Sequence, residues 1–326
     1  MRKLLLGSTL ILVFTLMRLV TPAQISDAFS KEVDYGIKTS TRQDRVKAEM
    51  NANSRIPKQQ ESRYNPSQSS LDIGWVELEP GLEFGIFRSP RTAEVGDSLI
   101  RVLRIDPRRF EFRLLNSSAP GHGSPLTAKE WSQQNNMLAA INASMYQTDH
   151  RTSVALMRTR THINNSRLSK DKAILAFDRQ SDNVPLVKII DRQCEDLSIW
   201  RENYGTLVQS IRMISCKKNN VWSQQPSKWS TAAIGTDSQG MVLFIHVRSP
   251  YSTHDLINIL MEIPLELSRA MYVEGGPEAQ LYVRSGGEEH EFVGSYETEF
   301  NENDSITHAW PIPNVVGIVR RKIPGK

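Results

Sequence analysis

The segment of this chain best suited to chemistry is Val273-Glu274-Gly275-Gly276-Pro277-Glu278, two glycines between two acids, set among strand-forming residues such as Tyr272 and Leu281-Tyr282-Val283. Glycine tolerates positive φ and close approach of a ligand to the backbone, and a carboxylate beside such an opening can serve as acid, base or nucleophile. The same letters also spell an ordinary turn with incidental acids. Other apolar runs end in polar residues too: Asn142 before Ala143-Ser144-Met145-Tyr146, then Gln209-Ser210, then His246-Val247-Arg248. A polar residue closing a buried strand sits at the rim of a sheet, where clefts form, so these four ends are candidates for one pocket.

Each side chain has a chemical reading and a structural one. Glu274 ends an apolar strand beside the glycines and is the first candidate for a reacting carboxylate; as a turn residue it would cap backbone N–H groups instead. Glu278 is either its partner acid or a solvated charge. His246 and Arg248 alternate with Val247 and therefore share one face of a strand, where an Arg fork suits a phosphate or carboxylate and a His could relay a proton; an ion pair and a hydrogen-bonded core histidine are the structural alternatives. The Asn142 amide offers a donor and an acceptor to a polar ligand, or braces its own turn. Gln209, Ser210, Gly275 and Gly276 complete the candidate binding set, and Tyr146 could stack on a ligand ring or pack in the core. No His-Glu-x-x-His, cysteine cluster, acidic calcium loop, nucleotide loop or nucleophile elbow is present in the sequence, so no metal or cofactor is expected.

These residues must be positioned by mostly extended elements. Period-2 patterning and β-branched or aromatic content predict strands over Leu82 to Phe87, Leu99 to Ile105, Phe110 to Leu115, Met137 to Asn142, Ala173 to Asp178, Leu186 to Asp191 and Val315 to Val319. A hairpin is expected at Ala232 to Val247, turning at Asp237-Ser238-Gln239-Gly240. Thr127 with Glu130 reads as a capping box opening a short helix, and Ser252 or Thr253 caps a second that Pro264 stops. Gly286 to His308 reads as a polar connection. Many strands with two firm helices predict an α+β domain, a mixed, mostly antiparallel sheet with a few helices packed on it, in a single domain over 73–326.

The amino-terminal part is different in kind. Arg2 and Lys3 precede an apolar run from Leu4 to Met17, and Thr21-Pro22-Ala23 suits a signal-peptidase cut, so residues 1–23 read as a secretory signal. The run is shorter than the roughly 20 residues of a spanning helix, so no stable membrane anchor is expected after cleavage. Residues 24–72 are rich in Ser, Gln, Asn, Lys, Arg and Glu and read as a flexible polar spacer. Export to a periplasmic or extracellular space would permit Cys194 and Cys216, the only cysteines, to pair; two separate buried thiols are the alternative. Forty Lys and Arg against 36 Asp and Glu in 326 residues give a formal charge of +4, and the basic residues are scattered, which argues against a nucleic-acid partner. Oligomeric state is not legible.

Taken in order, the strand-end motifs resemble the phosphodiester glycosidase family over roughly Leu138 to Arg320. The match runs through Asn142-Ala143-Ser144-Met145-Tyr146, the Gly235-Thr236-Asp237…Gly240 hairpin, the helix from Thr253, and Val273-Glu274-Gly275-Gly276-Pro277-Glu278. The family pattern more often has Gly where Ser144 stands, Asp for Glu274 and Gly-Ser for Pro277-Glu278. Many members also carry Arg-Thr-Ala where this chain has Ser230-Thr231-Ala232. The resemblance implies an exported hydrolase that cleaves between an anomeric carbon and a phosphate oxygen in an envelope or extracellular polysaccharide, with Glu274, Arg248 and Asn142 as its catalytic core. The alternative is a non-catalytic carbohydrate-binding or envelope-assembly protein on the same fold. The implied partner in either case is a sugar phosphate or polysaccharide.

Overall fold

The computed structural model describes residues 74–322; the expected signal peptide over 1–23 and spacer over 24–72 lie outside the described residues. In chain order the strands are β1 (Gly74–Glu79), β2 (Leu82–Arg88), β3 (Leu99–Ile105), β4 (Phe110–Asn116), β5 (Ala139–Asn142), β6 (Met157–Arg158), β7 (Ile163–Asn165), β8 (Ala173–Arg179), β9 (Val187–Asp191) and β10 (Tyr204–Ile214). They continue with β11 (Trp229–Asp237), β12 (Val242–Tyr251), β13 (Leu267–Gly275), β14 (Gln280–Ser285), β15 (Glu288–Val293) and β16 (Asn314–Arg320). The helices are α1 (Ala128–Gln134), α2 (Leu197–Arg201) and α3 (Thr253–Glu262), and a single 3-10 turn spans Gly276–Glu278.

The strands form two sheets. The larger has the order β1-β2-β3-β12-β11-β13-β10-β6-β7, with β8 also on β10 and β9 on β8; the smaller has the order β15-β14-β5-β16-β4. Neighbouring strands are antiparallel. The main core lies between the sheets, where Phe84, Leu103, Ile234, Phe244 and Val273 of the larger meet Phe112, Ile141, Leu281 and Val316 of the smaller. Each sheet also has an apolar outer face. Helix α3 covers that of the larger with Leu256, Ile257, Ile259 and Leu260, a spacing that puts all four on one side and stabilises the contact by about 2 kcal/mol per side chain. Helix α1 covers the smaller with Trp131. Among the described residues no helix is long and apolar enough to cross a membrane.

The caps form as their sequences dictate. Thr127 accepts from the Glu130 amide at 3.2 Å while Glu130 reaches back to the Thr127 amide at 2.8 Å, and Ser252 accepts from the Asp255 amide at 3.1 Å. Two expectations need correction. The balance is mostly β rather than α+β, because the helices are only covers on outer faces and the core is sheet on sheet. The stretch from Gly286 to His308 contains a strand, β15, in which His290 and Phe292 stack on Phe84 at 5.2 and 5.6 Å while Glu288, Glu289 and Glu291 face water. It is an edge strand, and its acids, which hid it from the sequence pattern, suit an unpaired edge.

Candidate active site

Strand β13 runs through the centre of the larger sheet and delivers Glu274 to its end. Register aligns Arg101 of β3, His246 of β12, Ala232 of β11 and Glu274 in one cross-strand row, so all four share the inner face. Glu274 is buried, and its Oε1 accepts from the Gly275 amide at 3.1 Å. His246 stands two strands away, about 10 Å by sheet spacing.

After Gly275 the chain enters the 3-10 turn and crosses to the smaller sheet. Gly276 has φ +65°, and a Cβ there would come within 2.4 Å of Glu297 Oε2. At Gly275 the backbone is extended, but a Cβ would meet the Tyr272 hydroxyl at 2.0 Å and Trp229 Cδ1 at 2.8 Å. Both positions therefore require glycine, and the room they leave is taken by Tyr272, Trp229 and Glu297 of the chain itself rather than left open as the sequence suggested. The crossing carries Glu278, only 4% exposed, which rules out the reading of a solvated charge. The Tyr146 hydroxyl donates to its Oε1 at 3.2 Å.

Asn142 fixes this crossing from the other side. It ends β5, pairs with Val315 of β16, and spends its amide on the backbone: Nδ2 donates to the Glu278 carbonyl at 2.9 Å and Oδ1 accepts from the Gln280 amide at 2.7 Å. It is thus a positioning residue for Glu278. Gln209 is fully buried and equally committed, accepting from the Ser169 amide at 3.0 Å and donating to the carbonyls of Ser169 and Asp171 at 3.1 and 2.7 Å. Ser210 donates to the Tyr272 carbonyl, and Ser144 to the Gln209 carbonyl at 3.0 Å.

Arg248 does share a face with His246, but its guanidinium is spent on structure. Nε pairs with Asp304 at 2.7 Å, Nη1 donates to the Val293 carbonyl at 2.8 Å and Nη2 to the Ile306 carbonyl at 2.7 Å. The arginine clamps the segment after β15 that brings Glu297 to Gly276. Ser230, where the family pattern often has Arg, donates to the Arg248 carbonyl at 2.5 Å and accepts from the amides of Ser295 and Tyr296 at 2.9 and 3.1 Å. His246 is 1% exposed; Nε2 donates to the Ala279 carbonyl at 3.3 Å and the ring stacks on Phe292. Burial, with the Arg101 charge beside it, pushes its pKa down to about 3, so the ring is neutral at ordinary pH.

Sequence reasoning missed Glu297, Trp229 and Trp222, which packs on Tyr272 at 5.8 Å. None carries a local signal, since their places depend on what the two glycines make room for. Cys194 and Cys216 form a disulfide with Cα atoms 6.5 Å apart, beside Asp191. Among the described residues these three form the one close group of potential metal donors, and the two sulfurs are bound to each other.

A sequence profile of phosphodiester glycosidases matches residues 135–319, more than half of the chain and all of the motifs that build this site. The chain belongs to the phosphodiester glycosidase family. Its fold is similar to that of a family enzyme, the zebrafish N-acetylglucosamine-1-phosphodiester α-N-acetylglucosaminidase, whose catalytic domain was solved auto-inhibited by its pro-peptide. The TM-score is 0.53 at 15% identity, covering 76% of this chain and 87% of that one. A hypothetical protein from Synechocystis is similar with a TM-score of 0.50 at 10% identity, covering 78% of this chain and 64% of that one. No curated protein matches by sequence. At these identities the likeness establishes the shared fold.

Proposed function

We propose that this chain hydrolyses a glycosyl-phosphate linkage, releasing a sugar from a phosphodiester, and that Glu274 and Glu278 are its working carboxylates. The observation that carries the reading is the pair of buried acids on either side of Gly275-Gly276, one of them held by the Tyr146 hydroxyl, in a member of the phosphodiester glycosidase family. Phosphate is already a good leaving group, so the demanding tasks are stabilising an oxocarbenium-like centre and placing the attacking oxygen. Glu274 takes the first task and Glu278, oriented by Tyr146, the second. Asn142 acts through Glu278, and Arg248 through the loop that carries Glu297, rather than on substrate. Export, read from residues 1–23, would place the substrate in an envelope or extracellular polysaccharide.

The test is release of free sugar from a sugar 1-phosphodiester by the purified protein and by Glu274→Gln and Glu278→Gln. Loss of a positioned acid or base predicts about 10²-fold slower turnover or worse in each variant. Saccharide binding without turnover by the parent would favour a carbohydrate-binding protein on the same fold, a reading to which the departures at Ser144, Ser230, Glu274 and Pro277 already lend some support.

A further inference from the structure

Cleaving a phosphodiester calls for a cation at the phosphoryl group, yet Arg248 is fully engaged and position 230 is a serine whose hydroxyl is satisfied. A different set of donors converges where β4 ends. Three consecutive residues there each hold a cationic or amide side chain. The Asn116 carbonyl holds His122 Nδ1 at 2.9 Å, the Ser117 carbonyl accepts from Arg151 Nη2 at 3.3 Å, and Ser118 Oγ meets His162 Nε2 at 2.8 Å and Asn164 Nδ2 at 2.7 Å.

The acceptors that meet these donors are neutral, two backbone carbonyls and one hydroxyl. Arg151 is exposed and makes no ion pair among the described residues. Its acidic neighbour, Asp149, is occupied by the amides of Arg151 and Thr152 and by the Thr152 hydroxyl. Two buried donors of the same group, Ser117 Oγ at 0% exposure and Asn314 Nδ2 in a residue 2% exposed that pairs with Asn116, have no hydrogen-bond partner among the described residues. Buried donors are nearly always paired, and an anion with several acceptor lone pairs is the species this set lacks. Burial, together with the charges of His122 and Arg151, holds the His162 pKa below its usual value, in keeping with several positive groups around one point.

The niche adjoins the candidate active site. The Asn314 carbonyl accepts from the Ala143 amide at 3.1 Å, one residue after Asn142. Arg151 and His150 lie on the same loop as Tyr146, and the His150 ring packs on that of Tyr146 at 5.4 Å.

We propose that Arg151, with Ser117, Ser118, His162 and Asn314, binds the phosphoryl group of the substrate, beside the loop that carries Tyr146. The assignment rests on the hydrolase reading for its substrate, but the niche can be tested without turnover. Titrating the full chain with inorganic phosphate by calorimetry should show binding that Arg151→Gln weakens at least tenfold and Arg151→Lys weakens less, because Lys keeps the charge but not the fork. Because the Arg151 side chain is exposed, circular dichroism should show both variants folded. No phosphate binding by the parent, or equal affinity in parent and Arg151→Gln, would overturn the site. Phosphate binding lost with Arg151→Gln in a protein that cleaves no sugar phosphodiester would keep the site and discard the hydrolysis. Turnover whose KM is unmoved by Arg151→Gln would do the reverse.

Discussion

A carboxylate gains chemical use when it is taken out of water and given a fixed direction, and Glu278 meets both conditions. It is buried, and Tyr146 donates to one of its oxygens. Removing that hydroxyl should leave fold and burial intact but take away one of the contacts that orient the carboxylate. Tyr146→Phe is therefore expected to lower kcat about tenfold, the equivalent of one hydrogen bond to a charged group, with little change in melting temperature. A variant with parental kcat would show that Tyr146 merely packs against the acid. Glu274 offers a contrast. Its Oε1 accepts from the next amide in its own chain, as a turn-capping acid would, so turnover separates the two readings of that residue.

At the scale of elements, the site depends on one crossing between sheets, and Asn142 is its brace. Cutting its side chain back in Asn142→Ala leaves the Glu278 carbonyl and the Gln280 amide buried and unpaired, at a cost of about 2–4 kcal/mol that chemical denaturation would measure. Much of this level was legible in the sequence. The strands on either side of the turn, the Asp237 hairpin, the capping box at Thr127 and the helix stopped by Pro264 all follow from local patterning. The brace was not, because an Asn that meets a sugar and an Asn that meets its own backbone look alike in one dimension. Arg248 is the same lesson with a longer reach: its partners lie 45 to 58 residues away in a segment whose strand was masked by acids. The tight fill above Gly275 and Gly276 likewise needs Tyr272, Trp229 and Glu297 to be in place first.

For the whole molecule, the two sheets and their covering helices bury His246 as a hydrogen-bonded core histidine, the structural alternative that its sequence position offered. The folded pKa of His246, about 3, lies below the ordinary histidine value of about 6.5, so protons favour the unfolded chain. Its contribution to stability is complete above about pH 6.5 and is lost progressively as pH falls toward 3. In this window unfolding free energy should drop by up to about 1.4 kcal/mol per pH unit from this residue, a component that His246→Gln should remove. Equal pH slopes in parent and variant would mean that the ring is reached by water before the protein unfolds.

The central claim is that the acids flanking Gly275-Gly276 cleave a bond. The direct measurement is the rate at which purified chain, Glu274→Gln and Glu278→Gln free sugar from a sugar 1-phosphodiester. Release by the parent that falls about 10²-fold or more in both variants is the expected result; no release by the parent, or equal release by all three, would contradict it.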